Sequence, residues 1–298
     1  MPHPSGPDPL RLIEFFAGMG GWRLAFGAGA EVAAAYDISP LSVAAYALNH
    51  GEAPITRELA AVPLADLLRH GADTWVMSPP CQPYCRMGNQ KGLEDRRSRA
   101  FVHLMDLFAA APPEHLVLES VEGFLGSDAH ALLTRRFRVA GFHWLDLRLC
   151  PTAFGIPNLR PRAFVVGSRR PLAPRALPEL PPAPVAAFLD TEEDPALYLP
   201  PEVLDRHLPG LDLVRPGDAR TACFIGGYGR RYVGGGSFLE TPRGIRRFSV
   251  PEVARLLGWT REPRFPEGMA QEARYRLLGN GLSLPVARWV AGHFQEPA

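Results

Sequence analysis

Short apolar runs alternate with amphipathic stretches of helical length between residues 10 and 167. Apolar runs that predict strands cover residues 12–16, 32–36, 74–77, 115–118, 144–149 and 163–166. Between them, residues 41–48, 101–109 and 129–139 have the apolar spacing of helices. A parallel sheet flanked by helices produces this alternation, because its strands are buried on both faces. The pattern therefore predicts an α/β fold.

A proline-rich stretch separates this region from the rest of the chain. Six prolines lie between Pro171 and Pro184, and proline fits neither a helix interior nor a central strand. The stretch therefore predicts a linker and a domain boundary. The residues after it, up to about Arg247, are rich in glycine and proline and have little periodicity, so no element is predicted there.

Helical spacing returns near the C-terminus. Ser249 is a predicted N-cap with Pro251 in the first turn, and it opens a helix that ends near Leu257. Residues 282–294 predict a further helix. The chain thus divides into residues 8–168, 169–247 and 248–298.

Composition and cysteine spacing narrow the class of protein. With 46% hydrophobic and 21% charged residues, the 298-residue chain has the balance of a soluble globular protein. It contains neither a signal-peptide pattern nor the roughly 18 consecutive apolar residues of a membrane span. The four cysteines lack C-x-x-C spacing, so no metal site and no disulfide scaffold are predicted. We expect reduced thiols, a cytoplasmic location and a monomer.

Charge is distributed unevenly although the net charge is only +1. Acidic residues predominate over residues 176–214, whereas arginines outnumber acids over residues 215–276. The whole molecule is therefore not the polycation that a non-specific nucleic-acid binder usually is. A local arginine-rich surface can still contact phosphates, because guanidinium groups bind them in bidentate fashion.

A glycine turn follows the first predicted strand, where residues 14–21 read EFFAGMGG. Such a turn brings backbone N–H groups close to a ligand, although tight strand-to-helix packing requires the same residues. Arg23 stands where the dinucleotide fingerprint needs a small residue, which disfavours a nicotinamide cofactor. Asp37 ends the second predicted strand, where a doubly wound fold places an acid on ribose hydroxyls; its alternative role is in the turn before Ser39. Together the two features predict a nucleoside cofactor.

A cysteine lies just beyond the third predicted strand, in the sequence MSPPCQPYCRMG at residues 77–88. A lone cysteine is usually a small buried hydrophobe. Here the prolines on both sides of Cys81 fix a loop that packs as neither sheet nor helix. This placement favours a reactive thiolate.

The motif PPCQ at residues 79–82 resembles the catalytic motif of the cytosine-5 methyltransferases, and four further motifs follow the order of that family. FAGMGG at residues 16–21 is similar to the family's S-adenosylmethionine loop, and Glu119-Ser120-Val121 stands where the family has Glu-Asn-Val. NLRPR at residues 158–162 resembles Gln-x-Arg-x-Arg, and GNG at residues 279–281 resembles the closing Gly-Asn-Ser/Ala motif. The resemblance covers most of the chain.

The resemblance implies a fold and a role for each of the three parts of the chain. The fold is a Rossmann-like S-adenosylmethionine-dependent methyltransferase sheet with a small target-recognition domain. Residues 8–168 would form the catalytic, cofactor-binding domain. Residues 169–247 would form the linker and recognition segment, and residues 248–298 would be helices returning to the catalytic domain.

The family chemistry explains these residue types. Cytosine C5 is a weak nucleophile, so a thiolate adds at C6 first, and Cys81 would be that nucleophile. Glu119 would hold a proton at N3, Arg162 would donate to O2, and Arg160 would support the loop. S-adenosylmethionine would be the cofactor and S-adenosylhomocysteine its product. The cofactor-binding residues that the resemblance implies are Phe16, Gly18, Gly20, Gly21, Asp37, Ile38, Pro79 and Asn280.

Several features resemble the tRNA-methylating branch of the family, once named the second eukaryotic DNA methyltransferase. They are Glu14, Arg86, the pattern FxHxxD at residues 101–106, and CFIGGYG at residues 223–229. That branch acts on a cytosine of the tRNA anticodon loop, conventionally position 38. Unpaired loops are the usual sites of specific RNA recognition. The substrate-binding residues expected from this likeness are Arg86, Cys223, Phe224, Tyr228, Arg230 and Arg231.

Arginines and tyrosines interleave late in the recognition segment. This mixture is typical of a surface that binds phosphates and stacks bases, although a solvated arginine-rich surface has the same composition. The candidates are Tyr228, Arg230, Arg231, Tyr232, Arg243, Arg246 and Arg247.

Four positions depart from the family pattern, and other functions stay open. Ser120 replaces Asn, Asn158 replaces Gln, Ile225 replaces a signature Thr, and Gly281 replaces Ser or Ala. A DNA cytosine-5 methyltransferase of an orphan or restriction-modification system is the alternative within the same chemistry. A nucleic-acid-binding protein with impaired catalysis is a second alternative. A thiol hydrolase that pairs Cys81 with His103 or His115 is a third.

Overall fold

The computed structural model describes residues 9–80 and 92–294. Its main sheet has six strands in the order β2-β1-β3-β4-β6-β5. The strands are β1 (Leu10–Phe15), β2 (Ala30–Tyr36), β3 (Thr74–Met77), β4 (His115–Ser120), β5 (His143–Leu149) and β6 (Arg162–Ser168). All six predicted strands are confirmed, with ends that differ by no more than two residues.

One strand of the main sheet runs against the others. β1 to β4 pair in parallel, but β6 is antiparallel to both β4 and β5. The expectation of a parallel sheet is therefore wrong for β6. The physical reason lies in the connection from β5 to β6, residues 150–161. It contains no helix of crossover length, so the chain turns back beside β5.

Nine α-helices lie within the described residues. Their bounds are α1 (Gly21–Phe26), α2 (Pro40–His50), α3 (Leu64–Leu68), α4 (Arg99–Ala110), α5 (Asp128–Val139), α6 (Pro201–His207), α7 (Val250–Leu256), α8 (Gln271–Gly279) and α9 (Leu284–Ala291). The predicted helices correspond to α2, α4, α5, α7 and α9. Ser249 caps α7 in a capping box with Glu252, which confirms the predicted start of that helix.

The main sheet is covered on both faces. Along β1, Ile13 and Phe15 belong to the core that includes α4 and α5, whereas Leu12 belongs to the core that includes α1 and α9. β3 and β4 alternate in the same way, because successive side chains of a strand point to opposite faces. This is the layered α/β arrangement that the apolar runs predict.

A small three-stranded sheet lies within residues 169–247. It contains β7 (Asp212–Val214), β8 (Ser237–Thr241) and β9 (Gly244–Arg247), with β8 at its centre. Residues of this sheet share one hydrophobic core with α7 and α8, and Met19 and Ala45 of the first part of the chain also belong to that core. The small sheet is thus packed against the region that carries the glycine turn. No described helix is long and apolar enough to cross a membrane.

Candidate active site

The glycine turn leaves β1 in a conformation that few side chains adopt. Phe16, Gly18 and Gly20 have φ angles of 55°, 58° and 78°. The positive φ of Gly20 favours glycine, and a Cβ there would also clash with the His50 ring unless that ring moved. At Gly21, the same construction brings a Cβ within 3.0 Å of Leu282. The turn is therefore shaped by close packing on two sides.

Asp37 joins β2 to this turn through backbone donors. Its Oδ2 accepts the N–H of Gly18 at 2.8 Å, and its Oδ1 accepts the N–H of Ser39 at 2.8 Å. Burial raises the pKa of the Asp37 carboxyl, while these backbone donors partly offset the rise. Asp37 thus performs the turn role considered from the sequence. A carboxylate with one bond at each oxygen keeps free lone pairs, so the ribose role stays a prediction.

Ile38 follows Asp37 and is 61% exposed. An aliphatic side chain held in water beside a glycine turn provides an apolar surface for a flat ring. Together, the positive-φ turn, Asp37 and Ile38 have the shape and chemistry to hold a nucleoside cofactor.

The end of β3 lies against the glycine turn. The N–H of Ser78 donates to the carbonyl of Phe15 at 3.4 Å, and the indole Nε1–H of Trp22 donates to Oγ of Ser78 at 3.1 Å. Pro79 is buried. Cys81 and Arg86 lie outside the described residues, and their predicted roles stay predictions.

Glu119 and Arg162 meet at the edge between β4 and β6. The antiparallel register pairs Glu119 with Phe164 and Ser120 with Ala163, so Arg162 begins β6 where β4 ends. Arg162 Nε lies 3.4 Å from Glu119 Oε1, and the two side chains are only 18% and 12% exposed. Burial raises the pKa of Glu119, although the positive charges of Arg162 and Arg160 oppose the rise. Glu119 is therefore suited to keep a proton at higher pH than an ordinary glutamate.

Arg160 connects three segments of the chain. Its Nη1 donates to the carbonyl of Phe224 at 3.1 Å, and its Nη2 donates to the carbonyls of Gly279 and Gly281 at 3.1 and 2.7 Å. The side chain is 3% exposed. These bonds to backbone carbonyls are what the expected role of supporting the loop requires. Arg160 is a positioning residue that fixes the loops around the site.

Cys223 lies between the two arginines. Arg160 Nη1 is 3.3 Å from its Sγ and Arg162 Nη2 is 3.7 Å from it. Burial alone would raise the pKa of this thiol, but the two guanidinium groups outweigh burial and lower it. The residue predicted to bind substrate is thus part of the Glu119 and Arg162 cluster.

Two further polar residues border the site. Asn280 is exposed at the C-terminal end of α8, and its Oδ1 would lie 2.9 Å from a Cβ on Gly226. Ser120 is 2% exposed, and its Oγ has no hydrogen-bond partner among the described residues. Ser120 thus buries a hydroxyl group at the end of β4, directly after Glu119 in the chain.

A known protein family matches the larger part of the chain. The family model described as C-5 cytosine-specific DNA methylase matches residues 10–195. The chain belongs to that family.

Its relatives carry a more specific name. A tRNA (cytosine(38)-C(5))-methyltransferase of Schizosaccharomyces pombe is 28% identical, and the match covers 97% of each chain. The Homo sapiens protein of the same name is also 28% identical, over 94% of this chain and 97% of its own. The crystal structure of the S. pombe Dnmt2 methyltransferase superposes with a TM-score of 0.86 at 26% identity, covering 96% of this chain and 98% of that one. This cytosine-5 methyltransferase therefore has the methyltransferase fold that its motifs imply.

Two of the residues predicted to bind substrate in this methyltransferase are core residues instead. Phe224 and Tyr228 are 0% and 1% exposed, and their rings meet edge to face at a centroid distance of 4.9 Å. The expectation that these rings contact nucleic acid is wrong, because apolar residues of the small sheet and α8 cover them. The sequence did not reveal this, since an aromatic side chain is equally compatible with a core and with a stacking surface.

The basic cluster is also smaller than expected. Arg246 is 2% exposed and makes a two-pronged ion pair with Glu252, and the guanidinium of Arg247 lies 4.7 Å from the ring centre of Tyr232. The expectation that Arg246 and Arg247 contact phosphates is therefore wrong, and both side chains have structural roles instead. The remaining candidates reach solvent: Arg230, Arg231 and Arg243 are exposed and Tyr232 is half-buried.

Two residues of the site were not found from the sequence. Trp22 and Ser78 are separated by 56 positions, and their bond depends on the packing of α1 against β3. The sequence around neither residue predicts this hydrogen bond. Trp22 fits an ordinary apolar helix position, and Ser78 fits an ordinary position after a strand.

Proposed function

We propose that this methyltransferase transfers a methyl group from S-adenosylmethionine to C5 of a cytosine in tRNA, at anticodon-loop position 38, through a covalent adduct with Cys81. The observation that carries the proposal is the buried pair of Glu119 and Arg162 at the same sheet edge as the glycine turn. An acid and a cation fixed together, away from water, match the N3 and O2 edge of a cytosine ring.

Glu119 would provide the proton that the reaction needs at N3. When a thiolate adds to C6, negative charge develops on the ring and concentrates at N3 and O2. A carboxyl group whose pKa is raised by burial holds its proton until that charge appears. Arg162 stabilises the same charge at O2 by hydrogen bonding.

Cys81 would be the thiolate that adds to C6. Its assignment rests on the sequence, since it directly follows Pro80 at the end of the described segment after β3. After methyl transfer, C5 carries both the methyl group and its original proton. Loss of that proton returns the electron pair to the C5–C6 bond and expels Cys81.

S-adenosylmethionine would supply an electrophilic methyl group on sulfur. The described residues fit such a cofactor: the positive-φ turn gives backbone donors, Asp37 has free lone pairs, and Ile38 offers an exposed apolar surface. Pro79 and Asn280 complete the set that the family resemblance implies.

The tRNA substrate is supported by the relatives and by the shape of the recognition segment. Relatives that cover nearly the whole chain carry the name tRNA (cytosine(38)-C(5))-methyltransferase. The small sheet is compact, and an unpaired anticodon loop presents its bases without duplex opening. Arg230 and Arg231 remain exposed on this segment as phosphate ligands.

DNA is the second candidate substrate. The matching family is described as a DNA methylase, and Ile225 replaces the threonine of the tRNA-branch signature. A target cytosine in duplex DNA would have to be flipped out of the stack before Glu119 and Arg162 could reach it.

A transfer assay separates these possibilities. Purified protein is incubated with radiolabelled S-adenosylmethionine and either unmodified tRNA or unmethylated duplex DNA of many sequence contexts. We expect label in tRNA, none after Cys81→Ala, and none when the cytosine at position 38 is replaced. Label in DNA alone would overturn the tRNA substrate, and activity that survives Cys81→Ala would overturn the nucleophile.

A further inference from the structure

Glu14 is a fully buried carboxyl group beside the glycine turn. It lies on β1 with 0% exposure, and its Oε1 accepts the N–H of Trp22 at 3.1 Å. Its Oε2 accepts the hydroxyl of Tyr46, on α2, at 3.3 Å. Gly20, the N-cap residue of α1, has no side chain that could accept hydrogen bonds from the free backbone N–H groups of the first turn. Glu14 therefore supplies from the sheet the acceptor that a capping side chain usually supplies.

Trp22 extends this contact to the next strand. Its backbone is held by Glu14, and its indole Nε1–H donates to Oγ of Ser78 at 3.1 Å. The ring is 1% exposed and packs edge to face on Phe164 of β6. Ser78 precedes Pro79 and Pro80, which lead directly to Cys81 in the sequence. One side chain thus contacts both the turn that follows β1 and the segment that follows β3.

We propose that Glu14 and Trp22 are positioning residues that couple the cofactor turn to the strand end leading to Cys81. This inference rests on the proposed function, since it takes the glycine turn as the methyl-donor site. Methyl transfer needs donor and acceptor within about 3–3.5 Å of each other, so small shifts between the two segments slow the reaction. The Glu14–Trp22–Ser78 chain of hydrogen bonds fixes that relation before either substrate binds.

The pKa of the Glu14 carboxyl is set by burial and by the polar groups around it. Desolvation raises the pKa of Glu14 to about 7, although the Trp22 N–H and the Tyr46 hydroxyl oppose the rise. The other charged or titratable groups nearby are Arg23 of α1, which contacts Tyr46 and Glu52, and His50 of α2, whose ring lies 4.5 Å from that of Tyr46. A Glu14→Gln substitution separates the effect of Glu14 from that of His50, because it removes only the titratable carboxyl.

The first test needs no activity. Hydrogen exchange of the Trp22 indole N–H is measured in the full chain with labelled tryptophan. The variant Trp22→Phe assigns the Trp22 signal. We expect both Glu14→Ala and Ser78→Ala to accelerate this exchange by up to about tenfold, because the loss of one hydrogen bond is worth up to about one factor of ten. The Trp289 indole, bonded to the carbonyl of Ala176, is the internal reference. Unchanged exchange in Glu14→Ala alongside acceleration in Ser78→Ala would overturn the coupling.

Glu14→Gln gives a second route if Glu14→Ala does not fold. In the wild type, the Trp22 indole signal should shift as the pH is raised from about 5.5 to about 8.5, the range in which a carboxyl with a pKa of about 7 titrates. Glu14→Gln should show no such shift. An equal shift in both proteins would assign the titration to another group and contradict the proposal.

A kinetic split completes the test. Trp22→Phe keeps an aromatic ring and the backbone bond to Glu14 but loses the indole bond to Ser78. We expect kcat to fall about threefold to tenfold while Kd for S-adenosylmethionine stays within about twofold. Trp289→Phe, which also loses one indole bond, should leave kcat unchanged. An unchanged kcat in Trp22→Phe would overturn the coupling. A wild-type protein that transfers no methyl group would refute the proposed function, and the exchange test alone would then decide this inference.

Discussion

At the scale of single residues, the site depends on how burial changes charge. Glu119 and Cys223 contact the same arginine but respond in opposite directions. Burial raises the pKa of Glu119 against the pull of the arginines, whereas the arginines outweigh burial at Cys223 and lower its pKa. A carboxyl group with a raised pKa and a thiol with a lowered pKa are therefore held on either side of Arg162.

Glu119→Gln tests the acid directly. Glutamine keeps the size of the side chain but cannot release a proton to N3, so we expect kcat to fall by about 100-fold or more with little change in cofactor Kd. Glu122→Gln, an exposed neighbour, is the matched control. Because the pKa of Glu119 is raised, wild-type activity should decline only as the pH rises above the ordinary glutamate range. Near-normal turnover in Glu119→Gln, measured with saturating substrate, would remove Glu119 from the chemistry.

The sequence predicted the residues of the site better than their partners. The motifs located Glu119, Arg162 and Asp37, because each follows or precedes a strand of apolar residues. The family resemblance assigned Arg160 to loop support, but the sequence could not identify its carbonyl partners at Phe224, Gly279 and Gly281, because they are distant in the sequence. Contacts between distant segments leave no local pattern.

At the level of helices and strands, the main sheet could be predicted from the sequence and the small sheet could not. Strands of the main sheet are continuous apolar runs because both faces are buried. β7, β8 and β9 are short, and α8 mixes charged residues with Tyr275, Leu277 and Leu278. Apolar residues of these elements bury one another in the core that they share with α7. Their formation thus depends on tertiary packing that sequence periodicity does not record.

A buried ion pair joins the small sheet to α7. Arg246 on β9 and Glu252 on α7 are 3% and 0% exposed. Arg246→Met would leave the carboxylate buried without its cation, and we expect a loss of about 3–5 kcal/mol in the free energy of unfolding. Chemical denaturation measures this loss.

Arg243→Ala is the control for that measurement. Arg243 pairs with Glu193 at 3.3 Å but is 75% exposed, so its loss should cost less than about 1 kcal/mol. The double variant Arg246→Met/Glu252→Gln should recover part of the stability. Equal effects of Arg246→Met and Arg243→Ala would contradict a structural role for the buried pair.

At the scale of the whole molecule, a nearly neutral chain presents a local basic surface. The net charge is +1, and several arginines of the recognition segment are occupied by internal partners. Arg230 and Arg231 are exposed beside the turn that follows Tyr228. Nucleic-acid binding should therefore involve few phosphate contacts and have a shallow dependence on salt.

The variant Arg230→Ala/Arg231→Ala tests this surface. We expect KM for tRNA to rise about tenfold at low salt, with a smaller effect at high salt and no change in cofactor Kd. The control is Arg135→Ala/Arg138→Ala, two exposed arginines of α5, a helix packed in a different core. Equal losses in both double variants would show a general effect of charge and contradict a specific binding surface.

The proposed reaction passes through a covalent bond between the Cys81 thiolate and a tRNA cytosine. The most direct measurement uses tRNA with 5-fluorocytidine at position 38, because fluorine at C5 prevents the proton loss that releases the enzyme. With S-adenosylmethionine present, we predict a denaturation-resistant protein–tRNA complex for the wild type and none for Cys81→Ala. A wild-type protein that methylates unmodified tRNA but forms no such complex would contradict the covalent mechanism.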